Sequence, residues 1–152
     1  MGQSEDGPRS WPDNLEAQSA IAAAILRHLL KGGITRSDLS VDQFRSDISA
    51  AGYPEPADFD GMFSDIMAWL RDEGIIRIGQ IADDGGGGSF FTDCVITGRG
   101  MDRLRQKSDV LGGATAADLI MSTKEHDASA SQLVRLGGLI GGVIGGFTKS
   151  AS

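Results

Sequence analysis

The chain has 152 residues, which is enough for one domain of ordinary size with flanking segments. Its formal net charge of −7 disfavours a general nucleic-acid binder, because such binding depends on Lys and Arg side chains that neutralise phosphates. A single cysteine, Cys94, excludes an internal disulfide and a cysteine-only zinc site, and it favours a reducing compartment. We therefore expect a cytoplasmic protein that interacts with other proteins.

The first segment, residues 1–12, is polar and carries no periodic apolar positions, so we expect a flexible N-terminus without a signal peptide. Asp13 and Glu16 then have the spacing of a capping box, which predicts a helix over 14–31 that ends at Gly32-Gly33. The apolar face of this helix consists of Leu15, Ala22, Ile25, Leu26 and Leu29.

Two shorter elements follow the first helix. Ile34 and Thr35 predict a very short strand. Ser40 and Gln43 repeat the capping-box spacing and open a second helix of about three turns, which ends near Gly52. Its apolar stripe is Val41, Phe44 and Ile48. A proline turn at 53–56 then separates it from the next element, because proline donates no backbone hydrogen bond.

A third helix is predicted over 57–73, with Gly74 as its stop. Its apolar positions are Phe59, Met62, Phe63, Ile66, Trp69 and Leu70. Residues 75–82 and 90–97 are rich in isoleucine, phenylalanine, threonine and valine, so both predict strands. The segment between them, 83–88, contains four consecutive glycines and predicts a flexible hairpin tip. A returning helix follows, carrying Met101 and Leu104.

Two stretches of this pattern resemble the winged-helix family. Trp69-Leu70-Arg71-Asp72-Glu73-Gly74-Ile75-Ile76 is similar to the end of the family's third helix where it enters the wing. Cys94-Val95-Ile96-Thr97-Gly98-Arg99-Gly100-Met101-Asp102-Arg103-Leu104 is similar to the segment that leaves the wing. The resemblance covers about residues 14–107 and extends to small phage and bacterial proteins of the YjcQ-like kind. It implies an α+β fold with three helices, a glycine-tipped β-hairpin wing and a returning helix, in a domain over 13–108.

The family resemblance also implies that the third helix reads DNA, but the charge on this helix opposes that role. Residues 56–73 contain five acidic side chains and one basic side chain, a balance of −4. This charge leads us to predict an acidic docking surface for a protein partner. Phe90 and Phe91 are adjacent in a strand and point to opposite faces, so one ring should be less buried and is a candidate partner contact. The predicted contact residues of this surface are Asp58, Asp60, Asp65, Arg71, Asp72 and Phe91.

The returning helix has the opposite charge. Four basic residues there outweigh Asp102, a balance of +3. This leaves an alternative, a DNA-binding winged-helix regulator that contacts phosphates through basic side chains. These side chains are Arg77, Arg99, Arg103, Arg105 and Lys107. A third reading is an acidic phage-type inhibitor that mimics nucleic acid.

No pattern of residues predicts an enzyme, a metal site or a cofactor. The glycines at 85–88 lead into a strand rather than into a helix with Lys and Ser or Thr, so they do not match a phosphate-binding loop. His28 and His126 each lack a second ligand at a suitable spacing. Cys94 lies in a predicted strand, where cysteine is more often a small core residue than a nucleophile.

The C-terminal part begins with a linker over 109–132 that contains a short helix at about 116–124. Residues 133–152 then form a glycine-zipper-like segment with a doubled small-xxx-small repeat, which lets two helices approach closely. The repeat consists of Gly137, Gly138, Gly141, Gly142, Gly145 and Gly146. Six interior glycines cost a helix about 6 kcal/mol relative to alanine, so it would not persist alone in water.

Three outcomes remain open for this segment: a disordered end, a helix packed on the domain or on a second copy, or attachment to a membrane. The uncharged run 136–147 would be about 18 Å long as a helix, against a hydrocarbon core of about 30 Å. We therefore expect a non-enzymatic winged-helix protein that acts by protein–protein interaction and forms homo-oligomers. The C-terminal segment would mediate self-association or contact with a membrane surface.

Overall fold

The computed structural model describes residues 14–50, 58–83, 89–107 and 112–122. These residues form five helices and a small four-stranded antiparallel sheet, so the predicted α+β class is confirmed. In chain order the elements are α1 (Asn14–Gly32), β1 (Ser37–Ser40), α2 (Val41–Ala50), α3 (Phe59–Asp72), β2 (Ile76–Arg77), β3 (Gln80–Asp83), β4 (Ser89–Ile96), α4 (Gly98–Leu104) and α5 (Ala116–Ser122).

β4 is the central strand of the sheet. It pairs antiparallel with β1 along one edge, where Leu39 lies opposite Phe91. Along its other edge it pairs with β2 and then with β3, in one continuous register that runs from Ile76 opposite Ile96 to Asp83 opposite Ser89. The sheet order is therefore β1, β4 and then the β2–β3 arm, and the hairpin predicted from the two apolar runs is present.

The first arm of the hairpin, predicted as one strand, is interrupted at Gly79. The Gly79 amide donates to the Thr92 carbonyl at 2.9 Å, so the arm stays attached to β4 there. A Cβ on residue 79 would lie only 2.7 Å from the Cβ of Asp93, which means that the two backbones approach too closely for a side chain. The interruption separates β2 from β3.

A β-bulge in β4 lies opposite this interruption. The pairing with β1 shifts register between Ser37, opposite Cys94, and Leu39, opposite Phe91, so β4 has one more residue than β1 over this interval. Asp93 adopts φ 55°, a left-handed conformation that is uncommon for a residue with a side chain. Its amide donates to Asp38 Oδ1 at 3.1 Å, which stabilises the bulged backbone.

The hydrophobic core is organised around α1. Between Ala20 and Leu29 this helix is buried on most of its circumference, because it contacts α2, α3, α5 and the sheet. The predicted α1 face is confirmed at the positions whose side chains are described, Ala22, Ile25, Leu26 and Leu29, all at most 1% exposed. Each buried side chain of leucine or isoleucine size contributes roughly 1.5–3 kcal/mol of stability.

Phe63 of α3 connects three elements through ring contacts. Its ring centroid lies 5.2 Å from Phe44 of α2, 6.1 Å from Phe59 of α3 and 5.7 Å from Phe91 of β4. Tilted aromatic pairs at these distances add about 0.5–1.5 kcal/mol each beyond their burial. His28 of α1 extends the cluster, because it packs edge-on against Phe44 at 5.7 Å. The aromatic rings therefore fix the position of α3 against the sheet.

The predicted position of the short strand, at Ile34 and Thr35, is wrong, because β1 begins three residues later at Ser37. The amides of Gly33 and Thr35 donate back to Leu30 and Gly32, so this backbone forms the turn that ends α1 and is not available to a sheet. Ile34 is 90% exposed in that turn. The strand instead begins at Ser37, and the inward-facing residue is Leu39, which is fully buried.

The other helix boundaries lie close to the predicted ones. α1 ends one residue later than predicted, and α2 begins where the Ser40 hydroxyl accepts a hydrogen bond from the Gln43 amide at 3.4 Å. α3 begins at Phe59, two residues later than predicted, because Asp58 acts as its N-cap. The predicted capping box at Asp13 and the proline turn at 53–56 lie outside the described residues.

α5 falls within the stretch 109–132 that the sequence analysis treats as a linker. Its residues Ala116 and Ile120 are fully buried and belong to the same hydrophobic core as α1. The Thr115 hydroxyl caps the helix by accepting from the Asp118 amide at 3.0 Å. A bridge between Lys107 and Thr115 holds the start of α5 next to the end of α4. The described part of this stretch is therefore packed on the domain.

Candidate functional site

α3 carries the surface that the sequence analysis singles out, and hydrogen bonds fix both of its ends. At the N-terminal end, Asp58 Oδ1 accepts from the Gly61 amide at 3.2 Å, and a carboxylate there also favours the helix dipole. At the C-terminal end, Gly74 adopts φ 77° and its amide donates to the Arg71 carbonyl at 2.9 Å. This glycine cap ends the helix and turns the chain into β2.

The solvent side of α3 forms a surface that we call the α3 ridge, made of Gly61, Asp65, Ala68 and Asp72. These residues are spaced by four, three and four positions, so they lie on one face of the helix. The two aspartates are exposed, whereas the glycine and the alanine are half-buried. The opposite face points into the core through Phe59, Phe63, Ile66, Met67 and Leu70. The ridge is therefore a low surface with two carboxylates on it.

Several of the predicted contact residues are engaged within the chain. Asp58 caps α3, and Asp60 Oδ1 lies 2.5 Å from the guanidinium Nη2 of Arg45 in α2. Arg71 Nε lies 3.4 Å from Asp72 Oδ1, and both of these side chains remain largely exposed. Asp58 and Asp60 thus contribute to the structure of the α2–α3 pair, while Asp65 and Asp72 present carboxylates to solvent.

Arg45 is a residue that the sequence analysis missed. Its guanidinium also pairs with Asp42 and lies 5.6 Å from the centroid of the Phe59 ring, so it joins α2 to the first turn of α3 by charge and by a cation–π contact. The spacing of three residues between Asp42 and Arg45 on a predicted helix was the available signal. The contact with Asp60 comes from tertiary structure alone.

The prediction that Phe91 is a partner contact is wrong. Phe91 is 1% exposed and packs on Phe63, so its ring belongs to the core. Its neighbour Phe90 is half-buried on the other face of the strand. The bulge at Asp93 is the physical reason, because it changes which residues of β4 point inward: Phe91 before the bulge, and Cys94 and Ile96 after it.

α4 is fixed against the junction of α3 and β2. The Thr97 amide donates to the Ile75 carbonyl at 2.9 Å, and its hydroxyl donates to the Gly74 carbonyl at 2.5 Å while accepting from the Gly100 amide at 2.9 Å. Thr97 is therefore both the N-cap of α4 and its link to the hairpin. A Cβ on residue 100 would overlap the Ile75 carbonyl oxygen, so the close approach requires glycine.

The residues of the DNA-binding alternative lie on or near α4, except Arg77 on β2. Arg99, Arg105 and Lys107 are exposed, and we call these three the α4 basic patch; Arg103 is half-buried. The side chain of Arg99 lies alongside Gly74, with its Cδ 3.3 Å from the position that a Cβ would occupy. Within the described part of the chain, the three patch residues form no ion pair.

Cys94 is a core residue, as predicted. Its side chain is fully buried in β4. Burial raises the pKa of the thiol to about 11, and the nearby carboxylates of Asp38 and Asp93 add to the increase because they disfavour a second negative charge. The thiol therefore stays protonated at neutral pH, which is unfavourable for a nucleophile.

The glycine repeat at 137–146 and the hairpin tip at 85–88 lie outside the described residues. The predicted oligomer or membrane contacts of that repeat therefore remain predictions. None of the helices in the described ranges has both the length and the apolar character needed to cross a bilayer.

Comparison with protein-family models, with curated proteins and with solved structures finds no match to this chain. The features of the described residues that bear on function are the two charged surfaces, the α3 ridge and the α4 basic patch.

Proposed function

We propose that this chain is a winged-helix protein without enzymatic activity that binds another protein through α3. The observation that carries the proposal is the chemistry of the α3 ridge, which presents Asp65 and Asp72 to solvent. The single base on α3, Arg71, is paired with Asp72. A helix with this surface would be repelled by the phosphates of a DNA groove, whereas its carboxylates suit the Lys and Arg side chains of a protein.

The winged-helix assignment is supported by the order of the elements. A helix, a short strand and two further helices precede a β-hairpin and a returning helix. The short strand β1 joins the sheet beside β4, so the hairpin is attached to the helical part of the domain. α3 packs on α1 and α2 with its ridge outward, which is the position of the reading helix in the family that the sequence resembles.

The non-enzymatic assignment is supported by the environments of the reactive side chains. The Cys94 thiol is buried, and its raised pKa keeps it protonated at neutral pH. His28 packs edge-on against Phe44, and its Nδ1 lies 3.4 Å from Gln43 Nε2. Each group therefore has a packing role that accounts for its position.

The test is affinity capture from a lysate of the source cells with three baits: the wild-type chain, Asp65→Lys and the control Asp118→Lys. Asp118 is also an exposed aspartate on a helix, but it lies on α5, which packs on α1. We expect a protein that wild type and Asp118→Lys retain and that Asp65→Lys loses. If no captured protein has this profile, the α3 ridge is not the binding surface.

A second part of the proposal concerns the glycine-rich segment at 133–152, which we propose to mediate self-association or membrane attachment. Its support is the small-xxx-small spacing of its glycines. Light scattering should compare the full chain with a version that ends at Gln132, with and without liposomes. A smaller assembly or lost liposome binding in the shortened chain would support a role for this segment, and identical behaviour would contradict one.

The α4 basic patch favours one alternative function, which is DNA binding. In this alternative the positively charged α4 basic patch, and not the negatively charged α3 ridge, contacts the DNA. The three exposed cations of the patch are unpaired within the described residues. In that case the chain would bind duplex DNA at low salt, the affinity would fall steeply as salt is raised, and Arg99→Glu with Arg105→Glu would abolish it. We expect no such binding.

A further inference from the structure

The two charged surfaces of this chain are complementary, and we propose that the α3 ridge of one copy docks on the α4 basic patch of a second copy. This inference rests on the proposed function of α3 as a protein-binding surface, and it names the partner. The two-copy arrangement is reciprocal, so each copy contributes a ridge and a patch.

The ridge has a shape that suits a partner with long basic side chains. Asp65 and Asp72 are seven residues apart on one helix face, about 10 Å along the axis. Ala68 lies between them and Gly61 lies one turn before Asp65 on the same helix face, and neither residue has a side chain that extends beyond Cβ. Asp65 can receive a cation directly, and Asp72 can exchange its exposed contact with Arg71 for one.

The patch provides those cations on a firmly placed element. α4 is held to the hairpin by Thr97 and Gly100, and its C-terminal side is held by the bridge between Lys107 and Thr115. Arg99, Arg105 and Lys107 are exposed, and no carboxylate of the described residues forms an ion pair with them. The described residues therefore place both charge signs in exposed positions, and no ion pair joins the ridge to the patch within them.

The two surfaces are also neighbours, which makes a reciprocal contact geometrically simple. The side chain of Arg99 lies against Gly74, two residues beyond Asp72 at the end of the ridge. A two-fold axis near this junction brings the Asp72 end of each ridge towards the Arg99 end of the other copy's patch. Such an interface is isologous and closes at the dimer, so it does not propagate into a filament.

The test uses charge reversal in the full chain, at an ionic strength of about 0.15 M, where the Debye length is about 8 Å. One variant carries Asp65→Lys and Asp72→Lys, so both of its surfaces are basic. The other carries Arg99→Glu and Arg105→Glu, so both of its surfaces are acidic. Sedimentation velocity measures the self-association of each variant and of their equimolar mixture.

We expect the wild-type chain to form a dimer that dissociates as salt is raised to about 1 M. Each variant alone should have a dimer dissociation constant at least about tenfold higher, because attraction becomes repulsion at both contacts. The mixture should restore a dimer that contains one copy of each variant. This restoration also shows that neither variant has lost its fold.

Three results would overturn the inference. The first is a wild-type chain that stays monomeric, and the second is a pair of variants that associate as strongly as wild type, which is what a contact through 133–152 alone predicts. The third is a patch variant that loses duplex-DNA binding without any change in self-association. If the wild-type chain is monomeric but Asp65→Lys still loses a captured protein, the inference fails while the proposed function stands.

Discussion

At the scale of single residues, Gly100 is the described glycine where an added Cβ would lie nearest to another atom, the Ile75 carbonyl oxygen. Its backbone lies against the Ile75 carbonyl, and the Thr97 hydroxyl binds its amide at 2.9 Å. Both contacts hold α4 to the start of the hairpin. Thr97 and Gly100 follow β4, and these contacts are the structural reason for their spacing of three residues.

We predict that Gly100→Ala lowers the free energy of unfolding by about 1–3 kcal/mol, because α4 must move away from Ile75 to admit a Cβ. Gly98→Ala is the matched control, since a Cβ there meets no atom within 4 Å. Alanine at that exposed helical position should change stability by less than about 1 kcal/mol and in the favourable direction. Urea unfolding measures both variants, and equal effects would contradict the close approach.

Cys94 gives a prediction about pH. Its pKa is raised from 9.0 to about 11 in the folded chain, first by burial and then by Asp38 and Asp93. The folded state therefore keeps the thiol proton at pH values where the unfolded chain releases it. This contribution to stability is fully present below about pH 9, and it is lost as the pH rises to about 11.

The measurement is the free energy of unfolding of wild type minus that of Cys94→Ala between pH 7 and pH 11. We expect this difference to be constant up to about pH 8.5 and then to fall, by at most about 1.4 kcal/mol per pH unit. Lysine and tyrosine titrations cancel, because both proteins contain them. A difference that is independent of pH would show that the thiol has an ordinary pKa.

At the scale of elements, α2 and α3 are joined by Arg45. Its guanidinium pairs with Asp60 and lies over the Phe59 ring, and its side chain is 30% exposed. Partial burial reduces the screening of this pair by water and salt. The exposed pair of Arg71 and Asp72 lacks this protection.

We predict a coupling free energy of about 0.5–1.5 kcal/mol between Arg45 and Asp60 in a double-mutant cycle with alanine substitutions. The same cycle on Arg71 and Asp72 serves as the control, and its coupling should be below about 0.5 kcal/mol. Unfolding free energies at about 0.1 M salt supply both values. Equal couplings would mean that the link between α2 and α3 depends on packing rather than on the ion pair.

The hairpin shows how a local irregularity controls an element. Strict alternation counted back from Ile96 through Cys94 would point Phe90 inward and Phe91 outward. The bulge at Asp93 reverses this assignment, so Phe91 completes the aromatic cluster around Phe63. The left-handed conformation of Asp93 is stabilised by Asp38 from β1, a strand that lies 55 residues away in the sequence.

At the scale of the whole molecule, one hydrophobic core extends from α1 to α5. Ala116 and Ile120 are fully buried in it, although α5 follows the returning helix in the chain. α5 therefore contributes to the stability of the domain. Cooperative unfolding of a core of this kind includes all the elements that share it.

We predict that Ile120→Ala lowers the free energy of unfolding by about 2–4 kcal/mol, through lost burial and the cavity left against α1. Met121→Ala, at a neighbouring position that is 50% exposed, should cost less than about 1 kcal/mol. Thermal and urea unfolding should each show a single transition for both variants. A second transition confined to Ile120→Ala would mean that α5 unfolds independently.

The distribution of charge across the molecule limits its functions more than its net charge does. The carboxylates of Asp65 and Asp72 and the cations of the α4 basic patch all face solvent, and Arg99 of the patch lies against Gly74, two residues after Asp72. A chain with this arrangement can bind a positively charged partner through the α3 ridge or a negatively charged partner through the α4 basic patch. The mixing experiment with the two charge-reversed variants tests a second copy as the partner, and duplex-DNA binding at low salt tests the alternative.

The sequence by itself determined the helices and the class of the fold. Apolar spacing defined α1, α2 and α3 to within about two residues, because each helix must bury one continuous face. Glycines marked helix ends for a local reason, as at Gly74, where φ is 77°. The excess of acidic residues around α3 was also readable, since it depends on composition alone.

Tertiary structure decided what local patterns do not encode. The start of β1, the inward position of Phe91 and the pairing of Arg45 with Asp60 each depend on a contact between different elements. The burial of α5 on α1 is of the same kind. Hydrophobic spacing specifies which face of an element is apolar, but the partner that covers the face is chosen by packing across the whole domain.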